Sequence, residues 1–345
     1  METTIYCSAP GRCGIIGNPT DMYGGSVISC SVKYRAHVTV EPCDHLELDA
    51  TGNRMVVERP EDLVLSGDYY DVARAVLDYF RDDLPRCRIA YWSDVPIGAG
   101  VSSSTALTVA ILYGLLCFKG ISYNRYRVAE TARYIELNHL RIVCGYQDAY
   151  MCTFGGLNYM DFRDKQFYRQ AAEELYATIE PLEHYVPELP MVLAHTGVRH
   201  SSDAVHKPLR ERWLEGDLAV RQGYEDISKL AREGKKALFL QDWERLGWLM
   251  NENHAIQRDL GGSGEANERL IKVALEHGAL GAKLAGAGQG GTIIALNLHP
   301  EEMIAALRAA GSDLIFYPQP CQGVCLETAE EAQAGPETSL PERGH

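Results

Sequence analysis

Two α+β domains are the architecture the sequence predicts. The chain has 345 residues, more than one domain of roughly 100–200 residues takes up. Its strand and helix patterns mix without regular βαβ alternation, which fits a doubly wound sheet less well. Charge rises between Arg163 and Glu188, which places a domain boundary near residue 185. The expected division is 1–185, 186–326 and a tail, 327–345, rich in Glu, Ala, Pro and Gly and expected to be disordered.

In chain order, CGIIG, GSVISCSV, AHVTVEP and HLELDA read as strands, because β-branched residues are bounded there by Gly, Pro, Asn and Asp. From Tyr69 to Phe80 apolar residues recur at helical spacing. CRIAYWSDV is a strand, PIGAGVSSS a Gly/Ser loop, and TALTVAILYGLLCF a helix apolar enough to be buried. Arg127 to Leu140 is amphipathic, and a short helix runs from Tyr146 towards Cys152 before the Gly155-Gly156 break. LNYMDF and MVLAHTG are strands. Long helices follow over Arg210 to Glu233 and Ala237 to Arg258, then one over Glu265 to His277. A Gly-rich turn leads to the strand TIIALNL, the helix HPEEMIAALRAAG and the strand LIFYPQP.

Apolar residues make up 46% and charged residues 23%, so the chain can bury a sizeable core. Lys plus Arg number 33 against 47 Asp plus Glu, and 33 − 47 = −14, a field that repels polyanions. A nucleic-acid partner is not expected, while small anions remain open, since backbone amides and one or two cations oppose the field locally. The ten cysteines form no C-x-x-C pair and suit a reducing cytoplasm as buried apolar residues. No charged n-region followed by an apolar run begins the chain. Its greasiest stretch, Ala106 to Phe118, falls short of the ~20 residues a bilayer span needs. No membrane partner is expected.

Three glycine-bearing clusters carry the chemistry. The first comprises Pro96, Ile97, Gly98, Ala99, Gly100, Val101, Ser102, Ser103, Ser104 and Thr105, and leads straight into the apolar helix. Glycines allow a tight turn, and the helix start offers unpaired N–H groups and a positive dipole end, a geometry that accepts phosphate. A linker with a serine N-cap reads equally well from these residues alone. No Walker-type G-K-[ST] ending is present, so a cation must come from elsewhere. The second cluster, Gly286-Ala287-Gly288-Gln289-Gly290-Gly291, satisfies G-x-G-x-x-G but precedes a strand. It therefore reads as a turn that lets backbone approach a ligand, or as a simple hairpin turn, and gives a nicotinamide oxidoreductase little support. The third, from Ala9 through Gly25, offers Arg12 as a cation and Asp21 and Tyr23 as partners for hydroxyls.

Together, in this order and spacing, the clusters resemble the GHMP family of small-molecule kinases over nearly the whole chain. That family carries A-P-G-R…G-x-x-T-D, P-x-x-x-G-L-x-S-S-A and G-x-G-x-G-G segments. Within it the chain is most similar to the glucuronokinase branch, through Gly17 to Tyr23, Gly145-Tyr146-Gln147-Asp148, Gly155 to Phe162 and Leu249 to His254. Asn18-Pro19 stands where galactokinase-like members have Glu-His. Val101, Ser102 and Thr105 replace the usual Leu, Gly and Ala.

The resemblance implies an N-terminal domain like domain 2 of ribosomal protein S5 and a C-terminal ferredoxin-like α/β sandwich. It implies ATP as donor, Mg²⁺ as cofactor and a small-molecule sugar as acceptor, in a monomer or homodimer. Asp148 would be the base and Arg12 the cation on the transferring phosphoryl. Pro96 and Gly98 through Thr105 would cradle phosphates, with Mg²⁺ on Ser104 and Glu136 and Ser103 as fallback. Asn18, Asp21, Tyr23, Gly24, Gly286, Ala287 and Gly288 would contact the acceptor, and Arg199, with His200, a uronate carboxylate. Without the resemblance, Asp148 reads as a helix-start carboxylate complementing the dipole and Arg12 as half of a surface ion pair. A catalytically silent binder of sugar and ATP is the remaining reading.

Overall fold

The computed structural model describes residues 3–165, 175–198 and 202–333. In chain order the elements are β1 (Ile5–Ile16), β2 (Ser26–Pro42), β3 (Leu46–Ala50), β4 (Asn53–Val57), α1 (Asp71–Tyr79), β5 (Cys87–Ser93), α2 (Ser103–Phe118), α3 (Arg125–Asn138) and α4 (Gln147–Phe154). Then come β6 (Leu157–Asp161), β7 (Thr178–Pro181), β8 (Met191–His195), α5 (Ser202–Leu214), α6 (Leu218–Phe239), α7 (Trp243–Asp259), α8 (Glu265–Glu276) and β9 (Gly281–Leu284). The last are β10 (Thr292–Leu296), α9 (Glu301–Ala309), β11 (Ile315–Phe316), β12 (Cys325–Leu326) and α10 (Ala329–Gln333).

Among the described residues the strands form two sheets. The first has eight strands in the order β12-β1-β2-β5-β3-β4, with β6 added to β2 and β7 to β6; the second has four, β11-β8-β10-β9. GSVISCSV and AHVTVEP, expected as two strands, are one: Lys33-Tyr34-Arg35 between them holds no Gly or Pro to turn the chain. Two register shifts in the β1–β2 ladder bend the pair, so that one half of β2 meets β5 and the other meets β6. The hairpin β3–β4 turns at Thr51-Gly52, both with positive φ, as a two-residue turn requires.

Helix α2 is buried among β1, β2, α1, α3 and α4, which is why its sequence shows no polar face. Fully burying Leu112 or Leu115 stabilises by about 1.5–3 kcal/mol each. In the second sheet the period of two is explicit. Val192, Ala194, Ile293 and Ala295 face α8 and α9, while Leu193, Ile294 and Leu296 join Leu246, Leu249 and Met250 of α7 in the main core. That core continues into the first sheet, so the two sheets share one apolar interior.

The expected helix over Arg210 to Glu233 is two helices. Gly216, at φ 87°, ends the first, and Asp217 caps the second by accepting from the amides of Ala219 and Val220. Asp242 likewise caps α7, which starts later than the expected Ala237. The C-terminal end also departs from expectation. β12 pairs with β1 in the first sheet, and residues 329–333 are helical where disorder was predicted from 327 on; 334–345 lie outside the described residues. No helix among the described residues is long and apolar enough to cross a membrane.

Candidate active site

A cleft of about 760 Å³ opens along the first sheet, and Gly286 and Ala287, in the loop between β9 and β10, join its lining. Its floor is the start of α2. Gly98 and Gly100, both at φ 72°, turn the chain, and Ser102 enters the helix in the left-handed region at φ 65°. No side chain caps that first turn, so its amides and the positive dipole end are left to a ligand beside Ser102, Ser103 and Ser104, which line the cleft.

Arg12, on β1 and 6% exposed, reaches three parts of the site at once. Nε and Nη2 contact Asp148 Oδ1 at 2.7 and 2.6 Å, and Nη1 donates to the Gly100 carbonyl at 2.8 Å and to that of Ala285 at 3.5 Å. Backbone bonds reinforce these links, from Arg12 N to Val101 O at 3.1 Å and from Gly14 N to Ala285 O at 2.9 Å. Arg12 is therefore not half of a surface ion pair. A Cβ on Gly286 would come within 2.5 Å of Gly100 O, so only glycine lets the two glycine segments touch. The second glycine cluster is the loop of the β9–β10 hairpin, and no helix follows it, which removes the dinucleotide reading.

Glu136, from α3, is 3% exposed and accepts from Thr105 Oγ1 at 2.9 and 3.1 Å. Burial first, and Asp148 second, push its carboxyl up to about 8 from the ordinary 4.5. Below pH 4.5 it is protonated folded or unfolded. Between 4.5 and 8 the unfolded chain loses the proton first, so stability falls as pH rises. Glu136→Gln should therefore raise the Tm of the metal-free protein at pH 8, with the gap closing towards pH 4.5. Thermal melts across that range check this, and a gap independent of pH would remove the explanation.

Of the expected phosphate residues, Ala99 and Val101 are wholly buried, and neither they nor Pro96 line the cleft. Thr105 does line it, yet its hydroxyl serves Glu136. Ser103 lines the cleft and its Oγ donates its proton to Val95 O at 3.1 Å, whereas Ser104 Oγ is buried with no hydrogen-bond partner. Among the expected acceptor residues, Asn18, Asp21, Gly286 and Ala287 line the cleft. Asp21 Oδ2 accepts from the amides of Tyr146 and Gln147 at 2.7 and 2.9 Å, so it caps α4 and thereby sets Asp148.

Tyr23, Gly24 and Gly288 do not line the cleft. Tyr23 stacks on Tyr224 with centroids 4.6 Å apart and packs near Trp213, Gly24 closes the turn Thr20–Tyr23, and Gly288 packs on the Gly262 carbonyl. Arg199 and His200 lie outside the described residues. Sequence reasoning missed Lys283, wholly buried just before the glycine loop, although a lysine inside the apolar run GAKLAG was a legible signal. It also missed Asn53, Asp68, Tyr69, Tyr91 and Trp92 at the cleft wall, which read as ordinary strand and loop residues.

A two-domain phosphotransferase with a small alcohol as acceptor is the class that fits this fold and cleft. Models of the GHMP kinase N-terminal and C-terminal domains match residues 69–156 and 235–313, and the galactokinase galactose-binding signature matches residues 2–42. The chain is 30% identical over 300 residues to probable glucuronokinase 2 of Arabidopsis thaliana, covering 80% of each chain. It is 26% identical to the mevalonate kinase of Pyrococcus abyssi, covering 96% of this chain and 100% of that one. The crystal structure of Lactococcus lactis galactokinase complexed with galactose superposes with a TM-score of 0.72 at 16% identity, over 94% of this chain and 95% of that one. The chain belongs to the GHMP kinase family, whose members use ATP as phosphate donor.

Proposed function

We propose that the chain transfers the γ-phosphoryl group of ATP to the anomeric C1 hydroxyl of a sugar, with D-glucuronate the foremost acceptor. The observation that carries this is the Arg12 fork, which ties the carboxylate of Asp148 to the carbonyl of the phosphate loop at Gly100. Phosphoryl transfer asks for positioning, charge neutralisation and an oriented nucleophile, and little else. Asp148 takes the proton of the sugar hydroxyl as its oxygen bonds to the γ-phosphorus. The bond to the β-phosphate oxygen breaks, and ADP leaves. Amides at the start of α2 hold the phosphates, and Arg12 opposes the charge that develops on the moving group.

The residues present fit Mg²⁺. Ser104 Oγ is an orphaned buried hydroxyl and Glu136 a buried carboxylate, hard oxygen donors in one cleft. Among the described residues no group of three or more His, Cys, Asp or Glu could hold a metal, which suits an ion bound through one carboxylate and the substrate phosphates. When bound, Mg²⁺ would neutralise phosphate charge. All ten cysteines are free, which supports a reducing, cytoplasmic setting.

Glucuronokinases at 30% and 28% identity support the uronate reading. Mevalonate kinases at 25–28% identity and a heptose 7-phosphate kinase of Campylobacter jejuni at 25% support another hexose or heptose, or mevalonate, as the second reading. An ADP-release screen over glucuronate, galacturonate, mannose, galactose, fucose, heptoses, mevalonate and homoserine tests both. Glucuronate is expected to give the highest kcat/KM. ATP and sugar binding with no ADP release on any acceptor would mark a silent homologue instead.

A further inference from the structure

Lys283 lies on β9 with no solvent exposure, and no salt bridge among the described residues includes it. An ammonium taken out of water without a carboxylate is costly, and a leucine or methionine would fill the same volume at no such cost. Its Nζ donates to two neutral acceptors, Asn18 Oδ1 at 2.7 Å and the Leu284 carbonyl. Burial lowers its pKa to about 7, against a pull from Cys13 in the other direction and with a push from Arg12 in the same one.

Asn18 is where this expense is used. It is 4% exposed and begins the cleft wall that continues through Pro19, Asp21 and Met22. Its Nδ2 donates to Gly286 O at 3.2 Å. An asparagine amide fits its slot in two orientations that differ in which end donates. Because a backbone carbonyl only accepts, Gly286 O takes Nδ2, and the charged form of Lys283, which only donates, takes Oδ1 and holds the same orientation. With one bond made at each end, the Asn18 side chain joins the two segments from its place in the cleft lining. The same junction leaves no room at Gly14, whose Cβ would lie 2.7 Å from Asn18 Oδ1.

We propose that Lys283 is a positioning residue for the phosphoryl acceptor: by fixing the Asn18 amide it latches the wall at residues 18–22 to the Gly286 loop of the second sheet. This rests on the reading that the cleft binds a phosphoryl acceptor. Replacing Lys283 by methionine keeps the length and removes the charge. The expected result is a Tm equal to or above that of the wild type, an unchanged KM for ATP, and a KM for D-glucuronate, or for the screened acceptor with the fastest turnover, raised about tenfold, the loss of one charge-assisted hydrogen bond. In a cycle with Asn18→Ala, the double variant should show no higher acceptor KM than Asn18→Ala alone.

A folded Lys283→Met protein with wild-type acceptor KM, or additive effects in the cycle, overturns the latch. Should Lys283→Met fail to accumulate, Asn18→Ser keeps Lys283 and removes the arm to Gly286. A raised acceptor KM with ATP KM unmoved then supports the latch, and two unmoved KM values overturn it. Failure of the underlying reading looks different, since the wild type itself then releases no ADP with any acceptor, and the latch falls with it.

Discussion

Asp148→Ala should lower kcat by about 10²–10⁴, the usual contribution of a general base, and leave ATP binding intact. The two effects separate because of where the side chain sits. Asp148 stands in the first turn of α4, outside the α2 turn that would grip phosphate, and is linked by hydrogen bonds to the loop before that turn through Arg12. Its carboxylate is 30% exposed, against 8% for the Arg12 side chain, so it is the member of the pair that an acceptor in the cleft can reach. Truncation removes the proton acceptor and leaves the floor of Gly98 to Ser104 in place. Steady-state turnover with the best screened acceptor, paired with calorimetric binding of a non-hydrolysable ATP analogue, measures both. Wild-type kcat in the variant would remove Asp148 as base, and lost analogue binding would make it a scaffold of the phosphate site.

What the sequence shows and hides follows from how each residue is used. The strands and the buried α2 are legible because their apolar patterns are local. The three glycine clusters are legible because tight turns and close approach admit few residue types. Glycine at 286 marks the contact with Gly100 although the two lie far apart in the chain. Residues whose roles depend on what the fold brings beside them are misread. Tyr23 looks like a hydroxyl partner on a loop, yet the approach of α5 and α6 supplies Trp213 and Tyr224 for it to pack against. Ser103 and Ser104 are equivalent in sequence, and one helical step separates a hydroxyl that donates to Val95 O from one with no partner. Asp21 sits in the expected cleft and has a further role that the sequence hides, as the cap that orients α4.

Substituting Arg12 should have the other large effect, and its signature is coupling to Asp148. Arg12→Met leaves the carboxylate of Asp148 without its cation and the carbonyls of Gly100 and Ala285 without that donor. Removing one partner of a buried pair costs about 3–5 kcal/mol, and the exposure of Asp148 puts this case at the lower end. Turnover should fall by about 10²–10³, as when one donor to developing charge is lost. Arg12→Lys keeps the charge but offers a point where the site uses a fork, so it cannot hold Asp148 and Gly100 O together and should recover little activity. With both Arg12→Met and Asp148→Ala in place no charge is left unpaired. The double variant should then be more stable than Arg12→Met alone, with kcat no lower than that of the worse single variant, because the pair acts as a unit. Denaturant unfolding and kcat for the four proteins of the cycle give the coupling directly. Strict additivity in both would mean that Arg12 and Asp148 act independently, and would dissolve the link between base and phosphate loop on which the phosphoryl-transfer geometry depends.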